Sequence, residues 1–373
     1  MDPSYLSRIE SFLTNRPFTR EGFEHHRQYA HRKAASPKEW MESLRYIGGI
    51  VGGEKPSRYS QSPRLWNSLF HHLKIPAYFA PLDLPSNANL ASFMETVLQA
   101  PLCVDLTVTN PYKPAAYAAL RELQLPCTIT ERALHLQSLN HLLIQPDLAS
   151  WFADSTDGEG MVRAIKKRMS LTGARVLLVG SGGAATSIAY ELLKEGAILR
   201  IANIVERDAH ALKERFEETF SMAGGASVIP SDKSSELPFP RSEAPVDKRH
   251  SQGAQPCERS QPRLIAGGWD RIPQWAAESE VIVSAITEST PLDREGLERL
   301  PPSVLLADTR YGDKAEFARL GRLLGHPVID GKEMLFGQFY GPATRVAAAI
   351  GIPAPAVEEA LEGIEEEYLS VTT

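Results

Sequence analysis

The chain has 373 residues, of which 43% are hydrophobic and 23% are charged, and its formal net charge is −6. This length suggests about two domains of an ordinary globular protein. The acidic balance argues against a nucleic-acid partner, and no run of about 18 apolar residues is present to cross a membrane. The three cysteines are odd in number and widely spaced, which fits a reducing compartment and matches no metal-ligand spacing. We therefore expect a cytoplasmic protein without a bound metal.

The first part of the chain predicts an extension followed by an α/β domain. Residues 1–45 are interpreted as one or two polar helices of unknown role, and the domain spans 46–170. Strand-like and helix-like patterns then alternate, with strands at 46–51, 77–84 and 104–109 and helices at 63–75, 89–100, 113–125 and 157–170. Such alternation predicts a mostly parallel sheet covered by helices.

The second part predicts a Rossmann-like, doubly wound α/β domain over 171–330. A continuous apolar strand, "ARVLLVG", leads through a glycine-rich loop into a helix and a second strand, "ILRIAN". Residues 231–262 are rich in Ser, Pro and charge without periodicity, and are interpreted as a disordered insertion. Helices occupy 331–373.

The glycine-rich loop is the first candidate site. Glycines between a strand and a helix let the backbone approach a diphosphate, and the helix start supplies amide donors and a positive dipole end. The alternative is a tight turn that packs helix on sheet, although such a turn needs only one or two glycines. We favour dinucleotide binding by a loop consisting of Gly180, Ser181, Gly182, Gly183, Ala184 and Ala185.

The end of the second strand leaves the choice of dinucleotide open. An acidic residue there favours NAD and an arginine favours NADP. The strand ends at Asn203, which is neutral, and is followed by Glu206 and Arg207. Glu206 suits a free 2′-hydroxyl, whereas Arg207 suits a 2′-phosphate.

A lysine stands in an electrostatically unfavourable place. Lys113 lies between Pro111 and Pro114, where a strand pattern gives way to a helix, and the positive end of a helix repels an ammonium group. Alone, such a residue is typical of a solvated loop. "STDGEG" likewise suits an ordinary helix start, with Ser155 or Thr156 as N-cap.

Seven motifs, in one order along the chain, resemble those of the shikimate dehydrogenase family, including its quinate/shikimate members. The resemblance spans about 46–355 and is interrupted by the insertion. The motifs are "SRYSQSP" with Ser60 and Ser62, "TVTNPYK" with Thr109 and Lys113, "SLNH" with Asn140, "STDGEG" with Asp157, "GSGGAA" at the glycine loop, "DTRYGD" with Tyr311, and "DGKEMLFGQ" with Met334 and Gln338.

The resemblance implies a catalytic pair and a substrate site between two domains. Lys113 would exchange the hydroxyl proton during hydride transfer to or from NADP or NAD, with Asp157 as its partner. The helix start disfavours the ammonium and Asp157 favours it, so we expect one coupled titration. The helices after 331 would return to the first domain. The implied substrate ligands are Ser60, Ser62, Thr107, Thr109, Asn140, Tyr311 and Gln338, and the implied cofactor contacts include Met334, Asn203 and Arg207.

Each of these residues also has an ordinary structural interpretation. Ser-x-Ser-Pro is common turn chemistry, threonines favour strands, and Asn140 suits a backbone contact. Met334 and Gln338 lie four apart and share a helix face, where methionine is commonly core and glutamine surface.

Departures from the family pattern keep three functions open. Thr107 replaces an asparagine that binds substrate in the family, His141 replaces a threonine, and Ile204 replaces the usual arginine for the 2′-phosphate. Shikimate oxidation comes first. A paralogue acting on quinate or an aminoshikimate-like acid is the second possibility, and a catalytically silent dinucleotide-binding protein is the third. We expect a monomer or homodimer.

Overall fold

The computed structural model describes residues 3–26, 36–53, 55–123, 125–145, 149–221 and 263–370. The predicted insertion, 231–262, lies outside them. The described residues form two six-stranded sheets. The strands of the first sheet are β1 Tyr46–Gly52, β2 Ala77–Asp83, β3 Cys103–Val108, β4 Cys127–Ile129, β5 His141–Ile144 and β6 Trp151–Asp154. The strands of the second are β7 Arg175–Val179, β8 Ile198–Asn203, β9 Leu264–Gly268, β10 Val281–Ser284, β11 Leu305–Asp308 and β12 Val328–Ile329.

Helices connect and cover the strands. They are α1 Pro3–Glu10, α2 Arg20–His26, α3 Pro37–Ser43, α4 Pro56–Tyr59, α5 Ser62–His72, α6 Leu90–Leu98, α7 Lys113–Glu122, α8 Glu131–Leu136, α9 Asp157–Lys166, α10 Gly183–Lys194, α11 Glu206–Ser221, α12 Ile272–Ala277, α13 Arg294–Glu298, α14 Glu316–Leu323, α15 Gly331–Ala349 and α16 Ala354–Ser370. No helix in these ranges is long and apolar enough to span a bilayer.

The first sheet is mostly parallel, as predicted. Its order is β2-β1-β3-β5-β6-β4, and only β5 runs against its neighbours. The antiparallel direction of β5 follows from its short connection to β6, since a parallel neighbour would need a long crossover. The strands β4, β5 and β6 have only three or four residues each and were not predicted from the sequence.

The second sheet is wholly parallel and doubly wound. The strand order is β12-β11-β10-β7-β8-β9. Successive strands therefore lie on one side of β7 up to β9 and on its other side from β10 onward, so the switch point lies between β7 and β10. Alternate residues of β7 enter opposite cores, with Val176 and Leu178 on one face and Leu177 and Val179 on the other. Burial of both faces explains why this strand is a continuous apolar run. The Rossmann-like prediction for this part is confirmed.

The last two helices share the core of the first sheet. Phe336 and Phe339 of α15 and Leu361 of α16 are buried with that sheet's residues, and Phe339 makes an edge contact with Trp66 of α5 at 5.1 Å between ring centroids. The chain therefore leaves the second sheet after β12 and packs again on the first.

The described N-terminal residues form three helices, where the sequence suggested one or two polar ones, and they contribute apolar side chains to the core. Leu6 and Ile9 of α1, Phe18, and Trp40 of α3 are buried in the core of the first sheet. The Trp40 ring contacts Tyr78 of β2, with centroids 5.2 Å apart. Charged neighbours hide this narrow apolar stripe from a composition-based interpretation, although Leu6 and Ile9 stand at helical spacing.

Candidate active site

Two helix starts bring together the lysine and the carboxylate that the sequence singled out. Lys113 is the first residue of α7 and Asp157 the first of α9. The lysine Nζ donates to Asp157 Oδ2 at 2.5 Å, and the side chains are 17% and 9% exposed. A lysine and an aspartate 44 residues apart therefore meet in a site largely closed to solvent.

Asn140 holds the other oxygen of this carboxylate. Its Nδ2 donates to Asp157 Oδ1 at 3.1 Å and to Thr156 Oγ1 at 3.1 Å, and its Oδ1 accepts from the Thr156 backbone N–H at 2.8 Å. Thr156 occupies the N-cap position of α9 without a side-chain capping bond. The buried amide thus fixes the Asp157 plane and leaves Oδ2 for the lysine.

The two α15 residues predicted for the site lie against α9. A Cβ built on Gly160, one turn after Asp157, would lie 2.7 Å from the Gln338 backbone nitrogen. Gln338 is half-buried, whereas Met334 is buried in a core of the second sheet. The close helix contact places Gln338 near the start of α9.

The serine turn lies beside the loop that leads to Lys113. Ser60 follows α4, Ser62 begins α5, and Ser60 Oγ accepts from the Ser62 backbone N–H at 3.2 Å. A Cβ on Gly52 would lie 2.5 Å from Thr109 Cγ2 and 3.0 Å from the Tyr59 hydroxyl. The ends of β1 and β3 therefore bring α4 and Thr109 together.

The glycine loop has open space where a ligand would need it. Gly180 turns the chain with φ of +122°, and a Cβ there would lie 2.6 Å from the Ala285 carbonyl oxygen. Gly182 and Gly183 face open space, and no side chain caps α10. Unpaired amides at an open helix start fit a diphosphate. Ser181 and Ala184, which flank the open space, are half-buried, and Ala185 is buried.

One hydrogen bond joins α10, the helix that the glycine loop opens, to α9. The Gly158 backbone N–H donates to Ser187 Oγ of α10 at 2.8 Å, immediately after Asp157. Ser187 was missed in the sequence, because a buried helical serine carries no motif. The start of α9 therefore touches both the lysine and the helix that the glycine loop opens.

Three other predicted site residues lie at or just beyond the ends of parallel strands in the second sheet. Asn203 ends β8 and donates from Nδ2 to the Val205 carbonyl at 3.2 Å. Arg207 is exposed and contacts Asp208 at 3.5 Å. Tyr311 follows β11 half-buried, and burial raises the pKa of its phenol. All three lie at the carboxyl edge of the sheet, where doubly wound folds bind ligands.

Thr107 is occupied within a buried polar cluster. Its Oγ1 donates to Asp105 Oδ2 at 2.8 Å and lies 3.2 Å from His141 Nδ1. Burial raises the pKa of Asp105, and the neighbouring His141 and Thr107 only partly offset this effect. The hydroxyl predicted as a substrate ligand is therefore engaged by neighbours, and Asp105 is a further residue that the sequence interpretation missed.

Known proteins with similar sequences are shikimate dehydrogenases. The NADP(+)-dependent shikimate dehydrogenase of Jannaschia sp. (strain CCS1) is 26% identical over 303 residues, which are 78% of this chain and 88% of that protein. Those of Stenotrophomonas maltophilia (strain K279a) and Pyrococcus abyssi are 35% and 31% identical over 47% and 61% of their lengths. The chain thus spans about half the length of these two relatives. No model of a known protein family matches the chain.

The chain is thus similar to shikimate dehydrogenases over most of its length. Solved structures share its fold: quinate dehydrogenase from Corynebacterium glutamicum with NAD aligns at a TM-score of 0.61 and 18% identity, covering 87% of this chain and 99% of that one. Shikimate 5-dehydrogenase from Thermus thermophilus with NADP(H) and shikimate aligns at 0.57 and 21%, covering 86% and 99%.

Among the residues that the structure describes, no group of three or more His, Cys, Asp and Glu side chains is arranged to hold a metal ion.

Proposed function

We propose that this protein is an NAD(P)-dependent dehydrogenase that oxidises, reversibly, a ring hydroxyl of a cyclohexene or cyclohexane carboxylate, with shikimate as the first candidate. The observation that carries the proposal is the Lys113–Asp157 contact at the start of α9, next to the helix that the glycine loop opens. The relatives and solved neighbours named for shikimate or quinate dehydrogenation support the substrate class.

The lysine and its partners account for the proton transfer. When a substrate hydroxyl is oxidised, its proton passes to Lys113 Nζ, and the same amine returns a proton in the reverse direction. Asp157 Oδ2 orients the amine, and Asn140 orients Asp157 through Oδ1. A bound nicotinamide dinucleotide would accept or supply the hydride.

The remaining residues divide between the two ligands. We assign Ser60 and Ser62 to the substrate carboxylate, with Thr109, Asn140 and Gln338 nearby, because these groups surround the end of β3 and the start of α9. We assign Gly182 and Gly183 to the dinucleotide diphosphate, since their surroundings are open. The substrate part then comprises 46–170 with the helices after 331, and the dinucleotide part 171–330.

A second candidate is a related acid such as quinate. The observation that favours it is Thr107, whose hydroxyl is held by Asp105, where the family has an asparagine for substrate. A substrate with a different hydroxyl pattern would suit this change. The dinucleotide is NAD or NADP, and Ile204, which is 66% exposed beyond β8, provides no charge for a 2′-phosphate.

One assay separates these functions. The purified protein is incubated with shikimate or quinate and with NAD or NADP, while the absorbance of the reduced nicotinamide is recorded. Reduction with shikimate supports the first candidate, and reduction with quinate alone supports the second. Measurable dinucleotide binding without reduction in any pair would contradict the proposal and favour a silent binding protein.

A further inference from the structure

The N-terminal arm, defined here as residues 11–19 between α1 and α2, runs along an open strand edge. β2 is the edge strand of the first sheet. The Thr14 backbone N–H donates to the Asp83 carbonyl at 2.9 Å, and Asn15 donates to the Pro81 carbonyl at 2.9 Å and accepts from the Asp83 N–H at 3.1 Å. These bonds satisfy outward-facing groups at the end of β2 and fix the Asp83 backbone.

The Asp83 carboxylate reaches across to the first turn of α4. Its Oδ1 accepts from the Ser57 backbone N–H at 3.0 Å, and its Oδ2 accepts from Ser57 Oγ at 2.6 Å. Lys55, the N-cap residue of α4, makes no side-chain capping bond. Asp83, which is buried at the end of β2, therefore supplies the cap of α4.

The short helix α4 carries the serine turn. The Ser60 backbone N–H donates to the Pro56 carbonyl at 3.0 Å, and Ser60 Oγ accepts from the Ser62 N–H. An unbroken series of contacts therefore runs from the arm through Asp83 and Ser57 to Ser60 and Ser62. A four-residue helix has little stability of its own, so its position depends on such contacts.

We propose that Asp83 is a positioning residue for the substrate carboxylate, and that Asn15 of the N-terminal arm holds Asp83 in place. This inference rests on the proposed function, which assigns the serine turn to the carboxylate. The N-terminal arm then contributes to the substrate site indirectly, by holding Asp83 in place.

Steady-state kinetics with the full chain test this role. Asp83→Asn should raise KM for the acid about tenfold, the factor that corresponds to one lost hydrogen bond to a charged group. Asn15→Ala should raise it about threefold. In both variants kcat and KM for the dinucleotide should change less than about twofold, because the glycine loop and Lys113 are not touched.

Three further variants separate positioning from general damage. Asn89→Ala removes the side-chain cap of α6, in which Asn89 Oδ1 accepts from the Ser92 N–H at 3.0 Å, and should leave KM for the acid unchanged. Ser57→Ala should repeat the Asp83→Asn effect without perturbing β2, whereas Ser57→Thr keeps a hydroxyl and should restore most of the affinity. Equal KM rises in Asn89→Ala and Asp83→Asn would overturn the inference, as would an unchanged KM in both Asp83→Asn and Ser57→Ala.

Hydrogen exchange separates this inference from the proposed function. Amides of 56–62 should exchange faster in Asp83→Asn than in wild type, while those of α6 should not. This measurement needs no substrate. It therefore tests whether Asp83 holds the serine turn in place even if neither shikimate nor quinate is oxidised. If the amides of 56–62 exchanged at the wild-type rate in Asp83→Asn while the protein oxidised shikimate, Asp83 would not be a positioning residue, but the proposed activity would stand.

Discussion

Gly160 of α9 and Gly337 of α15 are in backbone contact. A Cβ built on Gly337 would lie 2.4 Å from the Gly160 carbonyl oxygen, and one on Gly160 would lie 2.4 Å from the Met334 carbonyl oxygen. Only glycine permits this approach. The contact sets the distance between the helix that begins with Asp157 and the helix that carries Gln338.

Replacing Gly337 by alanine should therefore destabilise the fold. Backbone cannot yield as a flexible side chain does, and overpacking of this kind costs about 1–3 kcal/mol in the free energy of unfolding. Gly363 of α16 is the matched control, because a Cβ there meets open space. Gly363→Ala should stabilise by about 0.5–1 kcal/mol through helix propensity. Urea unfolding measures both, and equal stabilities of the two variants would show that α9 and α15 adapt freely.

The sequence was informative where periodicity or a motif extended over many residues. The strand pattern at 198–203 coincides with β8, and the apolar run at 174–180 contains β7. β7 is buried on two faces, which forces a continuous apolar composition, whereas β8 also contains the buried Arg200. The strands β4 to β6 and the Gly160–Gly337 contact escaped prediction, because short strands carry little pattern and a glycine pair 177 residues apart has meaning only in three dimensions.

Some residues of the candidate site could likewise be predicted from the sequence, and others could not. The residues that the family resemblance identified include Lys113, Asp157 and Asn140, and the structure brings these three together. The contact between the Thr107 hydroxyl and His141 depends on the pairing of β3 with the antiparallel β5, which the sequence did not reveal. The positions of Asp83 and Ser187 likewise depend on packing between elements.

The glycine loop gives a prediction that separates folding from ligand binding. Gly182→Val should fold with nearly wild-type stability, since its side chain enters open space, but should weaken dinucleotide binding at least about tenfold by filling the place of the diphosphate. Gly180→Ala is the contrasting variant, because its φ of +122° and the nearby Ala285 carbonyl strain any side chain. It should lose stability. Calorimetric binding and thermal unfolding of both variants are the measurements, and tight NAD or NADP binding by folded Gly182→Val would contradict the assignment.

Arg132 of α8 joins three carboxylates between the two sheets. It donates to Asp154 Oδ1 and Oδ2 at 2.6 Å each, and contacts Glu159 at 2.5 Å and Glu191 at 3.2 Å. Burial alone would raise the pKa of Asp154, but the Arg132 charge and hydrogen bonds outweigh it and lower that pKa. Burial also raises the pKa of Glu191, despite Arg132.

Arg132→Met should be strongly destabilising near neutral pH. Removing the cation leaves buried carboxylates uncompensated, at a cost of about 3–5 kcal/mol. The lowered Asp154 pKa means that its stabilisation in wild type is present above the ordinary value near pH 4 and is lost as the pH falls through the folded pKa. In Arg132→Met, burial without the cation should raise the pKa of Asp154. The cost of the buried Asp154 charge to the free energy of unfolding then disappears as the carboxylate is protonated. The stability difference should therefore shrink in acid.

Urea unfolding at neutral pH and near pH 4 tests this dependence. Arg294→Met is the control, since Arg294 pairs with Glu298 on an exposed helix surface. That change should cost less than about 0.5 kcal/mol at either pH. A pH-independent difference between wild type and Arg132→Met would mean that the carboxylates do not respond to the guanidinium.

The proposed catalytic pair, Lys113 and Asp157, gives the most direct test of mechanism. Lys113→Met keeps the length of the side chain and removes the amine, so kcat should fall about 10²- to 10⁴-fold, the usual contribution of a general acid or base. Dinucleotide affinity should change little, because the glycine loop lies on another helix. Asp157→Asn should also lower kcat, but less, since it leaves the amine in place without its anionic partner. Lys166→Met, at the far end of α9 and paired with Glu195, is the matched lysine control and should retain full turnover. If Lys113→Met retained turnover close to that of Lys166→Met, the proton would have to pass through a different group, since the lysine's contact with Asp157 would then serve structure alone.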